Sequence, residues 1–310
     1  MLRAASYDVL TRFVVLVILT KSVIVSGASS GIGKETVIRL LQYGYQVFGL
    51  ARRYDKLTVD QLLPSHMLTP RSRDKVAYVP LEFDITKPES FEILDRIFSY
   101  ADDSEVYGLV NNAGFLEPGA IEDLTMESLR NQFETNFFGH VDFTKRVLKL
   151  MKERNRSGCR IVIVSSMAGL ISLPLIGAYA ASKHALEAVF DALRVELWNT
   201  NFKITTINPG VIDTCIYENI QRKTKALLDV QNINKTRFAN AYNKYFLRNS
   251  HSGLNPTVVA KIIVNIIGSP RPRQRYFIGS GREKISIRLL PFIPTKILFP
   301  LLANRIHSKS

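Results

Sequence analysis

Short runs of apolar, mostly β-branched residues alternate with amphipathic segments along most of the chain. Such runs predict buried strands, and the amphipathic segments between them predict helices. The alternation continues from Val23 to about Ile207, which predicts a doubly wound parallel sheet with helices on both faces, a three-layer α/β/α arrangement in a single domain. The strand candidates are Lys21–Ser26, Tyr45–Leu50, Val106–Val110, Ile161–Ser166 and Lys203–Ile207.

A glycine-rich turn follows the first predicted strand. It runs Gly27-Ala-Ser-Ser-Gly31-Ile-Gly33 and leads into Lys34–Gln42, whose pattern is helical. Between a strand and a helix, such glycines let the backbone approach a pyrophosphate, while the helix N-terminus offers N–H groups and the positive end of its dipole. The spacing differs from the commoner Gly-x-Gly-x-x-Gly, but the strand–turn–helix context predicts a dinucleotide-binding loop.

Tyr179 and Lys183 stand four residues apart in the run Tyr-Ala-Ala-Ser-Lys. This spacing puts both side chains on one face of a helix, about one turn apart. A free tyrosine has a pKa of about 10, and a neighbouring ammonium group favours the phenolate. We therefore expect Lys183 to lower the pKa of Tyr179 and to make this phenol a general acid or base.

Four other segments carry polar or small residues at positions that fit a site at the carboxyl edge of the sheet. Asn111-Asn-Ala-Gly114 follows one predicted strand, and Asn208-Pro-Gly-Val-Ile-Asp-Thr214 follows another. Ser166 ends a third strand and precedes Tyr179 by thirteen positions, while Asn136 lies in a helix-like segment. Because the carboxyl ends of parallel strands share one edge, these residues are expected to meet there.

Taken in order from about residue 22 to residue 214, these motifs resemble the short-chain dehydrogenase/reductase family, a Rossmann-type fold. The run Val162–Gly169 leading into Tyr179–Ala188 is most similar to its 17β-hydroxysteroid dehydrogenase-like group. The resemblance implies that Tyr179 gives or takes a proton, that Lys183 binds the nicotinamide ribose and that Ser166 holds the substrate oxygen. It also implies that Asn136 supports a water relay. The implied cofactor-binding residues are Gly27, Ser29, Ser30, Gly31, Ile32, Gly33, Asp84, Asn112, Ala113, Gly114, Pro209, Gly210, Ile212 and Thr214, together with Tyr179 and Lys183.

Within that set, the resemblance gives each segment a part of the cofactor. The turn glycines line the pyrophosphate, Asp84 contacts the adenine, Asn112 to Gly114 pack on the adenosine side, and Pro209 to Thr214 cover the nicotinamide. One departure is Ser26, where the family usually has threonine, and the hydroxyl group is kept.

The end of the second predicted strand indicates which dinucleotide binds. NAD-binding sites usually place a carboxylate there for the ribose 2′-OH. Here Ala51 is followed by Arg52 and Arg53, and two guanidinium groups suit a 2′-phosphate. We therefore predict NADP(H) as the cofactor, with NAD(H) disfavoured.

The positive charge of the chain is concentrated in its last third. Of 41 Lys and Arg and 27 Asp and Glu, residues 1–220 hold 24 and 25, which leaves 17 and 2 for residues 221–310. No nucleic-acid-binding motif accompanies this charge, so nucleic acid is not an expected partner. Cys159 and Cys215 alone form neither a disulfide framework nor a metal-ligand cluster, which favours a reducing, cytosol-facing setting and no metal.

We divide the chain into an apolar N-terminal extension, residues 1–21, a catalytic domain, residues 22–270, and a basic, apolar tail, residues 271–310. The extension is too short and too charged for a simple membrane span and has no cleavage pattern of a secreted protein. In the tail, Pro291, Pro294 and Pro300 are expected to prevent one long helix. Three readings of the tail stay open: peripheral contact with an anionic membrane, a fold back over the substrate pocket, or a subunit contact.

The segment 215–255 is expected to bind the substrate. Its apolar side chains could wall a cavity, and its basic side chains suit a substrate with an anionic or membrane-held part. Steroids, retinoids and acyl-dihydroxyacetone phosphate all fit this description. The apolar residues are Tyr217, Leu227, Leu228, Phe238, Tyr242, Tyr245 and Phe246, and the basic ones are Arg222, Lys223, Lys225, Lys235, Arg237, Lys244 and Arg248.

We thus expect an oxidoreductase that transfers a hydride between NADP(H) and an apolar carbonyl compound or alcohol. A catalytically silent NADP(H)-binding sensor or scaffold at a membrane surface is the alternative. Sugar-nucleotide epimerases share Tyr-x-x-x-Lys but carry Gly-x-x-Gly-x-x-Gly and a larger C-terminal domain, neither of which is present. Family members often pair through the helices that correspond to Thr125–Met151 and Ser182–Trp198, so a homodimer or homotetramer is expected.

Overall fold

A computed structural model describes residues 20–53, 78–100, 104–154, 158–229, 238–241, 243, 246, 253–289 and 292–307. The N-terminal extension lies outside these ranges except for its last two residues, and so does part of the segment 215–255.

Strands and helices alternate as predicted, and the ends of the five predicted strands differ by at most two residues from those expected, while Tyr78–Glu82 and Arg275–Ile278 form two further strands that were not predicted. The elements are β1 (Thr20–Ser26), α1 (Gly31–Gln42), β2 (Gln46–Ala51), β3 (Tyr78–Glu82), a 3₁₀ turn (Pro88–Glu92) followed by α2 (Ile93–Tyr100), β4 (Ser104–Asn111), α3 (Met126–Phe133), a π-helical turn (Glu134–Phe138), α4 (Gly139–Glu153), β5 (Arg160–Val164), a 3₁₀ turn (Met167–Gly169), α5 (Gly177–Glu196), β6 (Lys203–Pro209), α6 (Cys215–Asp229), α7 (Pro256–Gly268), β7 (Arg275–Ile278), α8 (Gly281–Leu289) and α9 (Thr295–His307).

The sheet has seven strands in the order β3-β2-β1-β4-β5-β6-β7, and every neighbouring pair is parallel. The order reverses direction between β1 and β4, which is the switch point of a doubly wound sheet. The predicted fold class is therefore confirmed. The last strand, β7, lies beyond residue 270, so the sheet continues into the segment that we assigned from sequence to the tail.

Alternating side chains of the strands enter two separate cores. On β1, Ile24 packs on one face of the sheet, while Val23 and Val25 pack on the other. The first core includes Phe143 of α4 and Phe190 of α5, and the second includes residues of α1 and α7. Strands that are buried on both faces read as continuous apolar runs, which is why the sequence pattern located them.

The tail forms two short helices, α8 and α9, beyond the last strand. Pro294 stands directly before α9, where a proline fits because the first N–H groups of a helix have no intrahelical partner. Pro300 lies inside α9, but the tail is divided into two short helices rather than one long one, as expected. Pro291 falls outside the described residues. Among the helices that the structure describes, none is long and apolar enough to cross a membrane.

Candidate active site

The glycine turn between β1 and α1 has the geometry of an anion cradle. Gly27 has a φ of +67°, and a side chain on Gly33 would meet the carbonyl oxygen of Gly27 at 2.1 Å. Helix α1 begins after Ser30 with no side chain capping its N-terminus and no acidic residue in its first turn. Ser29 and Ser30 are exposed, so the first turn presents free N–H groups, as the pyrophosphate of a dinucleotide requires.

The segment after β4 is fastened to this turn through Ser26. The Ser26 hydroxyl oxygen accepts hydrogen bonds from the backbone N–H groups of Asn112 (3.0 Å) and Ala113 (3.1 Å). The Asn112 side chain donates to the carbonyl oxygens of Ser26 (3.1 Å) and Gly27 (3.2 Å), and Gly114 is exposed beyond it. The hydroxyl group of Ser26 therefore holds the segment of Asn112 and Ala113 against the glycine turn.

The segment after β6 closes over the same turn. A side chain on Gly31 would meet Thr214 at 3.1 Å, so the two segments are in contact. The Gly210 N–H donates to the Ile278 carbonyl of β7 at 2.7 Å, and the segment pairs with Leu254 through Ile212. Thr214 thus lies beside the predicted pyrophosphate-binding turn, and Pro209, Gly210 and Ile212 belong to the same segment.

Arg52 and Arg53 follow β2 and are exposed. Among the described residues, neither arginine forms an ion pair with a carboxylate. The Ala28 N–H donates to the Leu50 carbonyl at 3.1 Å, which brings the arginines beside the glycine turn. Asp84 lies next to them after β3, where its carboxylate accepts from the Thr86 N–H (3.0 Å) and hydroxyl (2.8 Å).

Ser166 and Tyr179 line the same cavity, with their hydroxyl groups within reach of a hydrogen bond. Ser166 follows β5, and its hydroxyl oxygen also accepts from the Ala168 N–H at 3.1 Å, while Tyr179 lies in the first turn of α5. Burial raises the pKa of Tyr179 above its ordinary value, and the bond with Ser166 acts in the opposite direction. The expected lowering of this pKa is therefore wrong, because loss of hydration of the phenolate outweighs the groups that favour it.

Lys183 lies one turn along α5 from Tyr179 and is only 4% exposed. Its ammonium group donates to the Val164 carbonyl at 2.9 Å and lies 5.9 Å from the centre of the Tyr179 ring. Burial lowers the pKa of Lys183 to about 8, and the negative charge of Glu187 opposes this shift. The lysine is thus charged at neutral pH and loses its proton at mildly alkaline pH.

Asn136 is fully buried, and its side chain is occupied by the turn that follows β4. The amide oxygen accepts from the Phe115 N–H (3.2 Å), while the amide nitrogen donates to the Phe115 carbonyl (3.0 Å) and to the Ser182 hydroxyl (3.3 Å). Asn136 lies within the π-helical turn, which closes with a bond from the Gly139 N–H to the Glu134 carbonyl. A water relay at this residue would therefore use its backbone carbonyl rather than its side chain.

Sequence reasoning missed His140, which lies one turn beyond Asn136 and is fully buried. Its Nε2 lies 2.6 Å from the Ala113 carbonyl, so this nitrogen carries the proton that is donated. Burial and, to a smaller extent, the charge of Lys183 lower the pKa of His140 to about 3. His140 is therefore neutral and supports the Asn112–Gly114 segment through its hydrogen bond with Ala113. It belongs to no sequence motif, so nothing in the sequence signalled this role.

A cavity of about 1200 Å³ opens over Ser166 and Tyr179. Its floor joins these residues and Lys183 to the segments around Asn112 and Pro209, and Ile32 of α1 reaches it as well. Its remaining described lining is mainly apolar, and much of it comes from α8 and α9. The tail residues are Ile285, Ile287, Leu289, Ile293, Leu298, Phe299, Leu301 and Leu302.

The segment 215–255 contributes less to the cavity than expected. Ile216 and Ile220 line it, whereas Phe238 and Phe246 pack in a small core of their own with Leu175. Of its basic residues, the described Arg222, Lys223 and Lys225 do not line the cavity. The side chains of Tyr217, Leu227 and Leu228, and the residues Tyr242, Tyr245, Lys235, Arg237, Lys244 and Arg248, lie outside the described part.

Glu283 of α8 connects the tail with the segment after β6. Its carboxylate accepts from the Val211 N–H at 3.1 Å and from the Ser280 N–H at 2.7 Å, and it lines the cavity. Among the described lining residues, Lys183 is the one with a basic side chain and Glu283 is the one with an acidic side chain. Apart from Lys183, the described walls therefore offer no cationic group for an anionic part of a substrate.

Comparison with known proteins agrees with this geometry. The family model for short chain dehydrogenases matches residues 21–225. An uncharacterized oxidoreductase of Escherichia coli (strain K12), YbbO, is 33% identical over 278 residues, which cover 88% of this chain and 92% of that protein. Retinol dehydrogenase 8 of Bos taurus is 32% identical over 286 residues, which cover 90% of this chain and 86% of the relative.

A solved structure of the actinorhodin polyketide ketoreductase with NADPH superposes with a TM-score of 0.66. It is 26% identical, and the match covers 84% of this chain and 97% of that one. Such folds bind a nicotinamide cofactor, and the cradle at Gly27–Gly33 fits one. From its matched motifs, its sheet and these relatives, the chain belongs to the short-chain dehydrogenase family and acts as a dehydrogenase or reductase on CH–OH or C=O groups.

Proposed function

We propose that the protein is an NADP(H)-dependent reductase, or dehydrogenase in the reverse direction, of bulky apolar carbonyl compounds and alcohols. The observation that carries the proposal is the position of Ser166 and Tyr179 on the floor of a large apolar cavity. Ligand pockets of roughly 300–1000 Å³ hold drug-sized molecules, so this cavity has room for a nicotinamide and a steroid- or retinoid-sized substrate together.

The bound cofactor supplies a hydride to the carbonyl carbon, and the residues of this chain serve the carbonyl oxygen. Ser166 and Tyr179 donate hydrogen bonds to that oxygen, where negative charge develops. The raised pKa of Tyr179 keeps it protonated at neutral pH, so that it gives its proton as the alkoxide forms. Lys183 carries its positive charge at neutral pH and stabilises the resulting phenolate.

Steroids, retinoids and other lipid ketones are the substrate classes we propose. A phosphate-bearing lipid is the least favoured of the expected substrates, because Glu283 lines the cavity and the described basic residues of 215–255 do not. That a relative is named for retinol supports a long apolar substrate. A silent sensor or scaffold is not favoured, because such a protein would not need Ser166, Tyr179 and Lys183 together under a cavity.

A substrate panel tests this function. Purified protein with NADPH would be offered steroid ketones, retinaldehyde, acyl-dihydroxyacetone phosphate and, as a control, the small polar ketone dihydroxyacetone. We expect the near-ultraviolet absorbance of NADPH to fall with the apolar carbonyls and to stay constant with the control. Turnover of dihydroxyacetone above that of every apolar compound would refute the proposed substrate class.

We propose NADP(H) as the cofactor, because the two exposed guanidinium groups of Arg52 and Arg53 lie beside the glycine turn. The double variant Arg52→Ala with Arg53→Ala should weaken NADPH much more than NADH. Each charge-assisted contact with a phosphate contributes about 1.5–3 kcal/mol, so the ratio of the two affinities should change by roughly 100-fold or more. Fluorescence titration of both cofactors measures that ratio.

The matched control for this pair is Lys149→Ala with Lys152→Ala, which removes two exposed charges on α4 without touching the cofactor segments. The control should leave both affinities as they are in the wild type. An unchanged NADPH-to-NADH ratio in the arginine variant would mean that both arginines are merely solvated, and the preference for NADP(H) would have to be withdrawn.

We also propose that the tail contacts an anionic membrane around the mouth of the cavity. Phe292 is 84% exposed and Phe299 is 62% exposed, although apolar side chains of this size are normally covered. Phe292 lies between α8 and α9, and Lys284 of α8 and Lys296 of α9 are exposed as well. Basic residues near an anionic bilayer contribute about 1 kcal/mol each, and inserted apolar side chains add to this.

Vesicle sedimentation tests the membrane contact. The protein should bind vesicles of phosphatidylcholine and phosphatidylserine at low salt, and binding should fall as salt rises. Phe292→Asp with Phe299→Asp should release it while NADPH binding persists, whereas Val258→Asp on α7 should not. If the wild-type protein stays in the supernatant at low salt, the tail is a wall of the cavity and nothing more.

We propose a homodimer or homotetramer that forms through the surface of α3, α4 and α5. Exposed apolar side chains lie on or beside these helices: Met126 on α3, Phe138 in the π-helical turn before α4, Val195 near the end of α5 and Trp198 just after it. Light scattering at micromolar protein should give the mass of two or four chains, and the mass of a single chain would contradict this assembly.

A further inference from the structure

A buried carboxylate lies one helical turn beyond Lys183. Glu187 of α5 is 4% exposed, although a carboxylate is almost never buried to this extent unless it is paired. One oxygen accepts from the Asn208 amide nitrogen at 2.6 Å, and the other accepts from the Arg275 guanidinium at 2.7 Å. The carboxylate is thus held from β6 and β7 while its own backbone belongs to the helix that carries Tyr179 and Lys183.

The same hydrogen-bond network reaches Ser166. The Asn208 amide nitrogen that donates to Glu187 also donates to the Ser166 carbonyl at 3.1 Å. Close packing leaves this linkage little freedom, because a side chain on Gly169 would meet the Lys183 carbonyl at 3.1 Å and Glu187 at 3.2 Å. Glu187 therefore connects the helix that carries Tyr179 with the segment that carries Ser166.

The charge of Glu187 acts on Lys183 as well. Burial lowers the pKa of Lys183, and the negative charge of Glu187 is what opposes that shift. The other titratable groups near Lys183 are Tyr179 and His140, both neutral at neutral pH. Glu187 faces Arg275, which also pairs with Asp191 at 2.9 Å, and Asp191 pairs in turn with Arg194.

We propose that Glu187 is a positioning residue of the reaction, which fixes Ser166 through Asn208 and supplies the counter-charge that keeps Lys183 an ammonium ion. The inference rests on the proposed function, because it requires that Ser166 and Lys183 serve catalysis. Arg275 neutralises part of the negative charge of Glu187 and so weakens the stabilisation of the Lys183 ammonium ion.

Two substitutions with opposite expected effects test the inference. Glu187→Gln removes the negative charge, so Lys183 loses its proton at lower pH, and the alkaline limb of kcat/KM for NADPH-dependent reduction should move down by about one pH unit. Arg275→Gln leaves the carboxylate unneutralised, so the same limb should move to higher pH. Damage to the fold alone would not move the two limbs in opposite directions.

Asp191→Asn is the matched control, because Asp191 also pairs with Arg275 but has no hydrogen bond with Asn208. Its alkaline limb should stay within a few tenths of a pH unit of that of the wild type, and NADPH affinity should be unchanged in all three variants. If the alkaline limbs of Glu187→Gln and Arg275→Gln stay at the wild-type pH, or shift in the same direction, the inference is overturned. If Glu187→Gln fails to fold, the upward shift in Arg275→Gln is still required.

Failure of this inference is distinguishable from failure of the proposed function. If Tyr179→Phe abolishes turnover while the limbs in Glu187→Gln and Arg275→Gln stay in place, the reaction stands and the role of Glu187 falls. If Tyr179→Phe retains turnover, the proposed function itself falls.

Discussion

Tyr179→Phe should lose at least about 100-fold in turnover while it folds and binds NADPH as the wild type does. Loss of a positioned proton donor typically reduces the rate by about 10²–10⁴-fold. The substitution removes one oxygen from a half-buried ring, whose hydroxyl group lies within reach of a hydrogen bond with Ser166, and leaves the ring itself in place. Steady-state rates with an apolar ketone, together with a fluorescence titration of NADPH, measure the two quantities.

The control for this substitution is Tyr43→Phe, which removes the same hydroxyl group from a tyrosine that is 66% exposed after α1. It should keep both turnover and affinity. Turnover of Tyr179→Phe within threefold of the wild type would exclude Tyr179 as the proton donor.

Gly33→Ala should lose roughly 100-fold in NADPH affinity. The added methyl group would lie 2.1 Å from the Gly27 carbonyl oxygen and 2.6 Å from the Asn112 amide nitrogen, distances at which the turn itself must move. Overpacking of this kind costs about 1–3 kcal/mol, and a displaced turn no longer presents its N–H groups to the pyrophosphate. Titration with NADPH gives the affinity, and the thermal midpoint reports the cost to the fold.

Gly281→Ala is the matched control, since a side chain at Gly281 meets nothing within 4 Å. It should leave affinity and midpoint unchanged. Wild-type binding by Gly33→Ala would show that the cofactor does not approach the backbone at this turn.

The sheet could be predicted because its strands are buried on both faces. Continuous apolar runs such as Ile161–Val164 and the glycine turn after Ser26 are local signals, and they located the strands to within a few residues. Strand β3, Tyr78–Glu82, was not predicted, since it is only half-buried, and neither was β7, since its four residues, Arg275–Ile278, carry no comparable run. Strand β7 joins the sheet through pairing with β6, a contact that no local pattern specifies.

The site was predictable where a motif stands in one segment and not where it depends on distant ones. Ser166 and Tyr179 line one cavity, but the direction of the Tyr179 pKa depends on burial by the whole fold. The apolar wall from α8 and α9 brings residues such as Phe299 to a site more than a hundred positions away in the sequence, and the linkage of Glu187 to Ser166 also joins separate segments. Phe238 and Phe246 were expected to wall the substrate cavity but pack in a small core. The sequence does not separate the two cases, because aromatic residues suit a core as well as a pocket.

Deuterium transfer from NADPH to a ketone tests whether the protein reduces apolar carbonyl compounds with Tyr179 as the proton donor. The protein would be incubated with NADPH that carries deuterium on the transferring position of the nicotinamide ring and with an apolar ketone from the panel, and the alcohol would be analysed by mass spectrometry. Our account predicts an alcohol with one deuterium on the former carbonyl carbon, formed by the wild type and at least about 100-fold more slowly by Tyr179→Phe. An alcohol without deuterium, or no alcohol from any apolar carbonyl compound, would contradict it.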